Sequence, residues 1–241
     1  MKLMVMKNYD EISKACAGMI SELVKKNSEA ILGLATGSTP IGTYKELIRM
    51  HKEEGLDFSK IKSFNLDEYV GLGGDHPNSY RYFMDHELFN HINIIKDNTN
   101  VPNGKANNLE EFCKEYDEKI DRAGGVDIQI LGIGSNGHIA FNEPSSELSV
   151  GTFVVSLTES TIEDNKRFFE SIDDVPKKAI TMGIGTIMKA KKIILLANGK
   201  SKANAIKRIV EDRKLTTEIP ASLLLLHPDV TFIVDEEAYG K

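Results

Sequence analysis

At 241 residues, with 41% hydrophobic and 27% charged side chains and a net charge of −6, the chain has an ordinary globular composition and enough length to bury a sizeable core. The acidic balance argues against nucleic acid or an anionic membrane as the main partner, yet leaves room for one small anion held by local cations and backbone amides. The two cysteines, Cys16 and Cys113, lack metal-ligand spacing and point to a reducing compartment. Residues 2–7 are too short and too charged for a secretion leader, and no apolar run reaches membrane-spanning length. The expectation is a cytoplasmic protein folded as one domain over residues 1–241.

Residues 3–6 read as a first strand, and 10–26 place Ile12, Ala15, Cys16, Met19, Ile20 and Leu23 at helical spacing. The apolar run 30–35 reads as a strand that opens into Thr36-Gly37-Ser38-Thr39-Pro40; a helix over 41–52 follows, with Pro40 suited to its first turn. A strand over 61–66 ends at Asp67-Glu68-Tyr69, before a glycine-rich loop at 71–75 and a helix at 79–91. A helix at 109–122 with a charged outer face precedes an apolar strand at 126–131. Beyond residue 144 the pattern predicts strands at 153–157, 179–182, 192–197 and 230–234. Helices are predicted at 161–169, 186–189, 201–210 and 221–226. Strands alternating with helices imply a doubly wound, mostly parallel α/β sheet, Rossmann-like, with helices on both faces. Ligands in such sheets bind at the carboxyl ends of the strands.

Four such ends carry unusual residues. Thr36-Gly37-Ser38-Thr39-Pro40 is a strand-to-helix turn whose amides can serve either an anion or a simple helix cap. It has neither the lysine of a P-loop nor dinucleotide spacing. Asn198-Gly199-Lys200-Ser201-Lys202 repeats the arrangement, with Lys202 where the helix dipole disfavours a cation unless an anion is bound. Arg167, beside Phe168 and Phe169, reads by default as a surface arginine. Asp67 and Glu68 put two carboxylates at a third strand end, where either a general base or a loop cap fits. At the fourth, three glycines loosen Gly132-Ile133-Gly134-Ser135-Asn136-Gly137-His138, and Glu143 follows five residues after His138. The spacing is neither a zinc site nor a serine-hydrolase elbow; a histidine oriented by a carboxylate suits proton transfer near neutral pH. These residues together suggest acid–base chemistry on a phosphorylated metabolite.

Three segments carry a closer likeness: residues 35–40, residues 64–72 (Phe-Asn-Leu-Asp-Glu-Tyr-Val-Gly-Leu) and residues 137–144 (Gly-His-Ile-Ala-Phe-Asn-Glu-Pro). With His76-Pro77-Asn78-Ser79-Tyr80, Arg167-Phe168-Phe169, Val175-Pro176, Met182-Gly183-Ile184-Gly185-Thr186 and Lys202-Ala203, the chain resembles the glucosamine-6-phosphate deaminase family along nearly its whole length. The resemblance implies conversion of glucosamine 6-phosphate and water to fructose 6-phosphate and ammonia, without metal or organic cofactor. It implies that His138, polarised by Glu143, opens the sugar ring and that Asp67 takes the C2 proton. It further implies that Gly37, Ser38, Thr39, Arg167 and Lys202 hold the phosphate, and that Glu68 supports its loop.

Two departures stand out. Asn136 replaces an aspartate found in some members and is expected to hydrogen-bond His138 without supplying charge. Phe153 and Val155 stand where, by the resemblance, activated relatives carry basic residues that bind the phosphate of N-acetylglucosamine 6-phosphate, and the chain stops at Lys241. The expectation is therefore a monomer or small homo-oligomer without allosteric activation. The rivals are a 6-phosphogluconolactonase-like hydrolase, and a sugar-phosphate sensor, which would normally come with a DNA-binding segment that is not seen before Asn8.

Overall fold

In chain order the strands are β1 (Lys2–Met6), β2 (Ile31–Leu34), β3 (Lys62–Asn65), β4 (Asp67–Tyr69), β5 (Thr99–Asn100), β6 (Ile128–Leu131), β7 (Phe153–Ser156), β8 (Lys178–Thr181), β9 (Lys192–Ala197) and β10 (Val230–Asp235). The helices are α1 (Tyr9–Lys26), α2 (Ser38–Glu54), α3 (Tyr80–Glu87), α4 (Leu109–Ala123), α5 (Glu159–Asn165), α6 (Ile184–Met188), α7 (Ala203–Lys207) and α8 (Glu236–Tyr239). The structure, a computed structural model, describes residues 1–166, 169 and 171–241, and of Ser160, Asp164 and Asn165 the backbone only.

Seven strands pair in parallel in the order β1-β10-β9-β6-β2-β3-β5. Every residue of β2, β6 and β10 is buried, as expected for parallel strands covered on both faces. Alternation along each strand divides the core in two. On one face Ile12 and Ile20 of α1 and Tyr44 and Leu47 of α2 pack with Leu32, Leu34, Ile128 and Ile130. On the other, Tyr116 and Ile120 of α4 and Ile206 of α7 pack with Ile31, Leu131, Leu195 and Phe232. Each such side chain stabilises the fold by about 1.5–3 kcal/mol. Helix ends follow local chemistry: the Asn8 side chain accepts from Glu11 N at 3.0 Å to start α1, and Gly55 closes α2 in the left-handed region.

The mostly parallel α/β sheet agrees with the sequence reading, but a second sheet was not foreseen. Residues 67–69 do not simply end β3. They turn out of the main sheet as β4 and join β8 and β7 in an antiparallel layer ordered β4-β8-β7. Leu66 is the joint: its N–H donates to Leu34 O at 3.3 Å, while its carbonyl accepts from Met182 N at 2.8 Å. Strands this short pair over long sequence separations, so their partners leave no local signal.

Other corrections are smaller. The predicted helix at 79–91 is α3 followed by a 3₁₀ turn, Phe89–His91. The one at 201–210 is a 3₁₀ turn, α7 and a π turn in succession, and 221–226 lies within a 3₁₀ helix, Pro220–Leu226. The two-residue β5 and four-residue α8 are too short to show periodicity. The helix predicted at 161–169 corresponds to α5; residues 167 and 168 lie outside the described residues. Among the described residues, no helix is long and apolar enough to cross a membrane.

The strands β9, β6, β2 and β3 are consecutive neighbours, so the loops at their carboxyl ends meet along one edge. From β2 the chain proceeds to β3 on one side and later returns to place β6 on the other. That reversal is a topological switch point, where open α/β sheets form a crevice.

Candidate active site

At the end of β2, Gly37 (φ 92°) caps α2 without a side-chain hydrogen bond, leaving the first-turn amides of Ser38 and Thr39 at the head of a 17-residue helix. Tyr9 braces this turn: its hydroxyl donates to Ser38 O at 2.9 Å and accepts from Gly42 N at 2.7 Å. Thr39 Oγ1 donates to Asn198 Oδ1 at 3.0 Å, tying the turn to the one after β9. In that second turn Gly199 N donates to both carboxylate oxygens of Asp235 at 3.0 Å. Lys202, half-buried, ends the 3₁₀ turn Lys200–Lys202, and its N–H donates to Gly199 O at 3.1 Å. The structure thus joins Gly37, Ser38 and Thr39 to the turn bearing Lys202. Arg167 lies outside the described residues.

The loop after β6 folds back on itself. Gly134 N donates to His138 O at 2.9 Å and Gly137 N to Gly134 O at 3.0 Å. Gly134 is a close approach: a Cβ there would sit 2.3 Å from Cε1 of His138, so the imidazole lies against bare backbone. His138 Nδ1 comes within 3.2 Å of Glu143 Oε2, close enough for an ion pair but without aligned hydrogen-bond geometry. Glu143 Oε2 also accepts from Asn136 Nδ2 at 2.8 Å, and Oε1 accepts from Thr161 Oγ1 at 2.9 Å. Burial raises the Glu143 carboxyl, but His138, Asn136 and Thr161 outweigh it and hold the group below its ordinary range. The imidazole side chain is 31% exposed and the carboxylate 15%, so the ring faces the solvent side of the pair.

Asn136 hydrogen-bonds His138 as expected, but at the backbone, and it also holds Glu143. Its amide nitrogen bonds Glu143, and its oxygen accepts from the backbone N–H of His138 at 3.1 Å rather than from the imidazole. The reason is the tight turn at Gly137 (φ 89°), which returns the chain so that position 136 faces position 143.

The third component is Asp67, on β4. It stands opposite Thr181 of β8, and the Thr181 hydroxyl accepts from Phe141 N at 3.2 Å. One threonine thus links the strand of Asp67 to the loop of His138. Asp67 is 7% exposed, and among the described residues no hydrogen bond reaches its carboxylate. Burial pushes its pKa up to about 8, with the neighbouring Glu68 charge adding to the rise. Glu68, 2% exposed, accepts from Tyr69 N at 2.8 Å and from Tyr80 N and Arg81 N at 2.9 Å, so it caps the start of α3.

Thr161, Thr181, Asp235 and Tyr9 escaped the sequence reading. Only Asp235, ahead of two glutamates as a helix cap, and Thr158-x-x-Thr161 carry a recognisable local signal. An open groove of about 380 Å³ beside α4, bounded by Asn100, Phe112 and Arg122, holds none of the predicted site residues. Among the described residues, no group of three or more His, Cys, Asp or Glu is arranged to hold a metal ion.

A reachable imidazole held by a carboxylate, a second carboxylate that keeps its proton to about pH 8, and two joined glycine turns make a site equipped for proton transfer on a small anion. The chain belongs to the family of glucosamine-6-phosphate isomerases and 6-phosphogluconolactonase, whose family model matches residues 7–233. It is 62% identical over 238 residues to a glucosamine-6-phosphate deaminase of Clostridium perfringens (strain 13 / Type A), spanning 99% of this chain and 98% of that protein. The solved structure of a monomeric glucosamine-6-phosphate deaminase matches with a TM-score of 0.96 at 48% identity, covering 99% of each chain. The 6-phosphogluconolactonase of Thermotoga maritima, at a TM-score of 0.74 and 19% identity over 98% of this chain and 99% of that one, shares the fold alone.

Proposed function

We propose that this chain, acting as one unit over residues 1–241, is a glucosamine-6-phosphate deaminase that converts glucosamine 6-phosphate and water to fructose 6-phosphate and ammonia. The observation that carries the reading is the meeting of two acid–base elements through Thr181: the His138–Glu143 pair and the buried Asp67. Identity of 62% over nearly the full length of a named deaminase supports it.

The phosphate would rest on the Gly37, Ser38 and Thr39 turn, with Lys202 and Arg167 adding charge-assisted hydrogen bonds. His138 moves the proton from the anomeric hydroxyl to the ring oxygen, opening the pyranose, while Glu143 stabilises the imidazolium and Asn136 holds Glu143. Asp67 takes the C2 proton of the open-chain sugar to give an enolamine and returns a proton to C1. The resulting C2 imine adds water and expels ammonia. These steps call on no metal or organic cofactor, since the substrate's amine and carbonyl acidify C2. Asp67 must be ionised to act, so activity is expected to rise with pH through about 8.

The monomeric deaminase is a close structural match, which supports a monomer as the working form. The unpaired thiols of Cys16 and Cys113 fit a cytoplasmic setting.

The test is ammonia release from glucosamine 6-phosphate, alongside lactone hydrolysis and ligand binding. Ammonia release that Asp67→Asn and His138→Gln each reduce by about 10²–10⁴-fold supports the proposal. Lactone hydrolysis without ammonia, or saturable binding with neither reaction, overturns it.

A further inference from the structure

One buried carboxylate beside the site has no place in the steps above. Glu68 follows Asp67 on β4 and is 2% exposed. It spends both oxygens on backbone donors from the two ends of one loop. Oε1 accepts from Tyr69 N and Tyr80 N, and Oε2 accepts from Arg81 N. Residues 70–79, with Gly71, Gly73 and Gly74 among them, are thereby closed at their base by a single side chain. Burial raises the Glu68 carboxyl above its ordinary range overall, while three backbone donors favour the ionised form and limit that rise.

The side chain of Arg81, whose backbone N–H Glu68 accepts, does not cancel this charge. The Arg81 guanidinium is directed to Asp85 at 3.2 Å and Thr99 Oγ1 at 2.9 Å, and lies over the Phe89 ring. Four phenols also lie in electrostatic reach of Asp67: Tyr44 on α2, Tyr69 on β4, Tyr80 on α3 and Tyr116 on α4. Burial pushes all four upward, so they are neutral in the working range. Among these groups Glu68 is the one that presents a charge to Asp67.

We propose that Glu68 is a positioning residue for the proton transfer at C2: its ionised carboxylate staples both ends of the 70–79 loop, and its fixed charge, one residue along the same buried strand, makes Asp67 a stronger proton acceptor. The inference rests on the deaminase reading for its consequence in catalysis, but not for the staple or for the electrostatic coupling. The upward shift of Asp67, caused first by burial and then by Glu68, agrees with it.

The experiment pairs Glu68→Gln with Glu68→Asp and follows two quantities. One is the midpoint of the rising limb of kcat/KM for ammonia release. The other is the carboxyl titration of Asp67 by carbon-13 NMR, which needs no turnover. Glu68→Gln removes the charge and is expected to lower both midpoints by about one pH unit, a tenfold change in the equilibrium. Glu68→Asp keeps the charge on a stem too short to reach Tyr80 and Arg81. Its midpoints should stay with the wild type, while amide exchange at Tyr80 and Arg81 rises at least tenfold.

Unmoved midpoints in Glu68→Gln overturn the electrostatic role, because a purely structural residue would change rate or stability and leave the titration alone. Equal shifts in both variants overturn it too. Unchanged exchange in Glu68→Asp overturns the staple. If Glu68→Gln does not fold, the Glu68→Asp titration and exchange still decide: a displaced midpoint or intact protection counts against the proposal. A wild-type chain that releases no ammonia defeats the functional reading instead, and leaves the NMR result to judge Glu68.

Discussion

Asp67 is a carboxylate in a place where carboxylates are costly, and the cost has a measurable pH dependence. Between the ordinary carboxylate range and about pH 8 the unfolded chain ionises Asp67 while the folded chain keeps it protonated. Stability therefore falls as pH rises through that window, because the unfolded state binds fewer protons. Asp67→Asn should remove this loss along with the activity. The variant is expected to melt about 5 °C or more above the wild type at pH 8, and at nearly the same temperature at pH 4; calorimetry at the two pH values checks it. Asn136→Asp tests the other carboxylate. It would remove the amide donor 2.8 Å from Glu143 and set a like charge in its place, so Glu143 should hold its proton to higher pH than in the wild type. Activity should stay within about tenfold of the wild type, short of the ~10²-fold loss of an acid–base group. Carbon-13 titration of Glu143, with rates from pH 5 to 9, gives the result; an unmoved titration would mean that Asn136 does not tune the pair.

At the scale of elements, the loop after β6 makes the imidazole's position depend on one glycine. Gly134→Ala would put a Cβ 2.3 Å from Cε1 of His138, whereas an alanine at Gly132 in the same loop would meet nothing within 4 Å. Displacing a catalytic ring by about 1 Å costs on the order of 10²-fold. Gly134→Ala is expected to lose kcat on that scale with KM little changed, and Gly132→Ala to behave as the wild type. Equal kinetics in the two variants would refute the packing argument. The sequence was informative here about residue types but not about their partners. His138 and Glu143 could be paired because they share one short loop. Thr161 could not be added, because its contact with Glu143 exists only once α5 has docked. That Asn136 also holds Glu143 could not be read, since nothing local reports the return of the chain at Gly137.

The whole molecule has the loops of the proposed site assembled along one sheet edge. A working monomer predicts specific activity independent of protein concentration and a single ~27 kDa species in sedimentation, in keeping with a chain mass of 26.8 kDa. With Phe153 and Val155, both half-buried on β7, in place of basic residues, kinetics should be hyperbolic and unaffected by N-acetylglucosamine 6-phosphate. Sigmoidal rates that this compound makes hyperbolic would contradict that.

The sequence by itself determined the parallel sheet and the residues at four of its strand ends, because doubly covered strands read as apolar runs and glycine–hydroxyl turns mark where they stop. Only the tertiary structure decided that Asp67 leaves that sheet at Leu66, pairs with Thr181 and meets the His138 loop there. The physical reason is range: an apolar period is written in neighbouring residues, whereas a buried carboxylate's proton affinity depends on groups that folding brings in from distant parts of the chain.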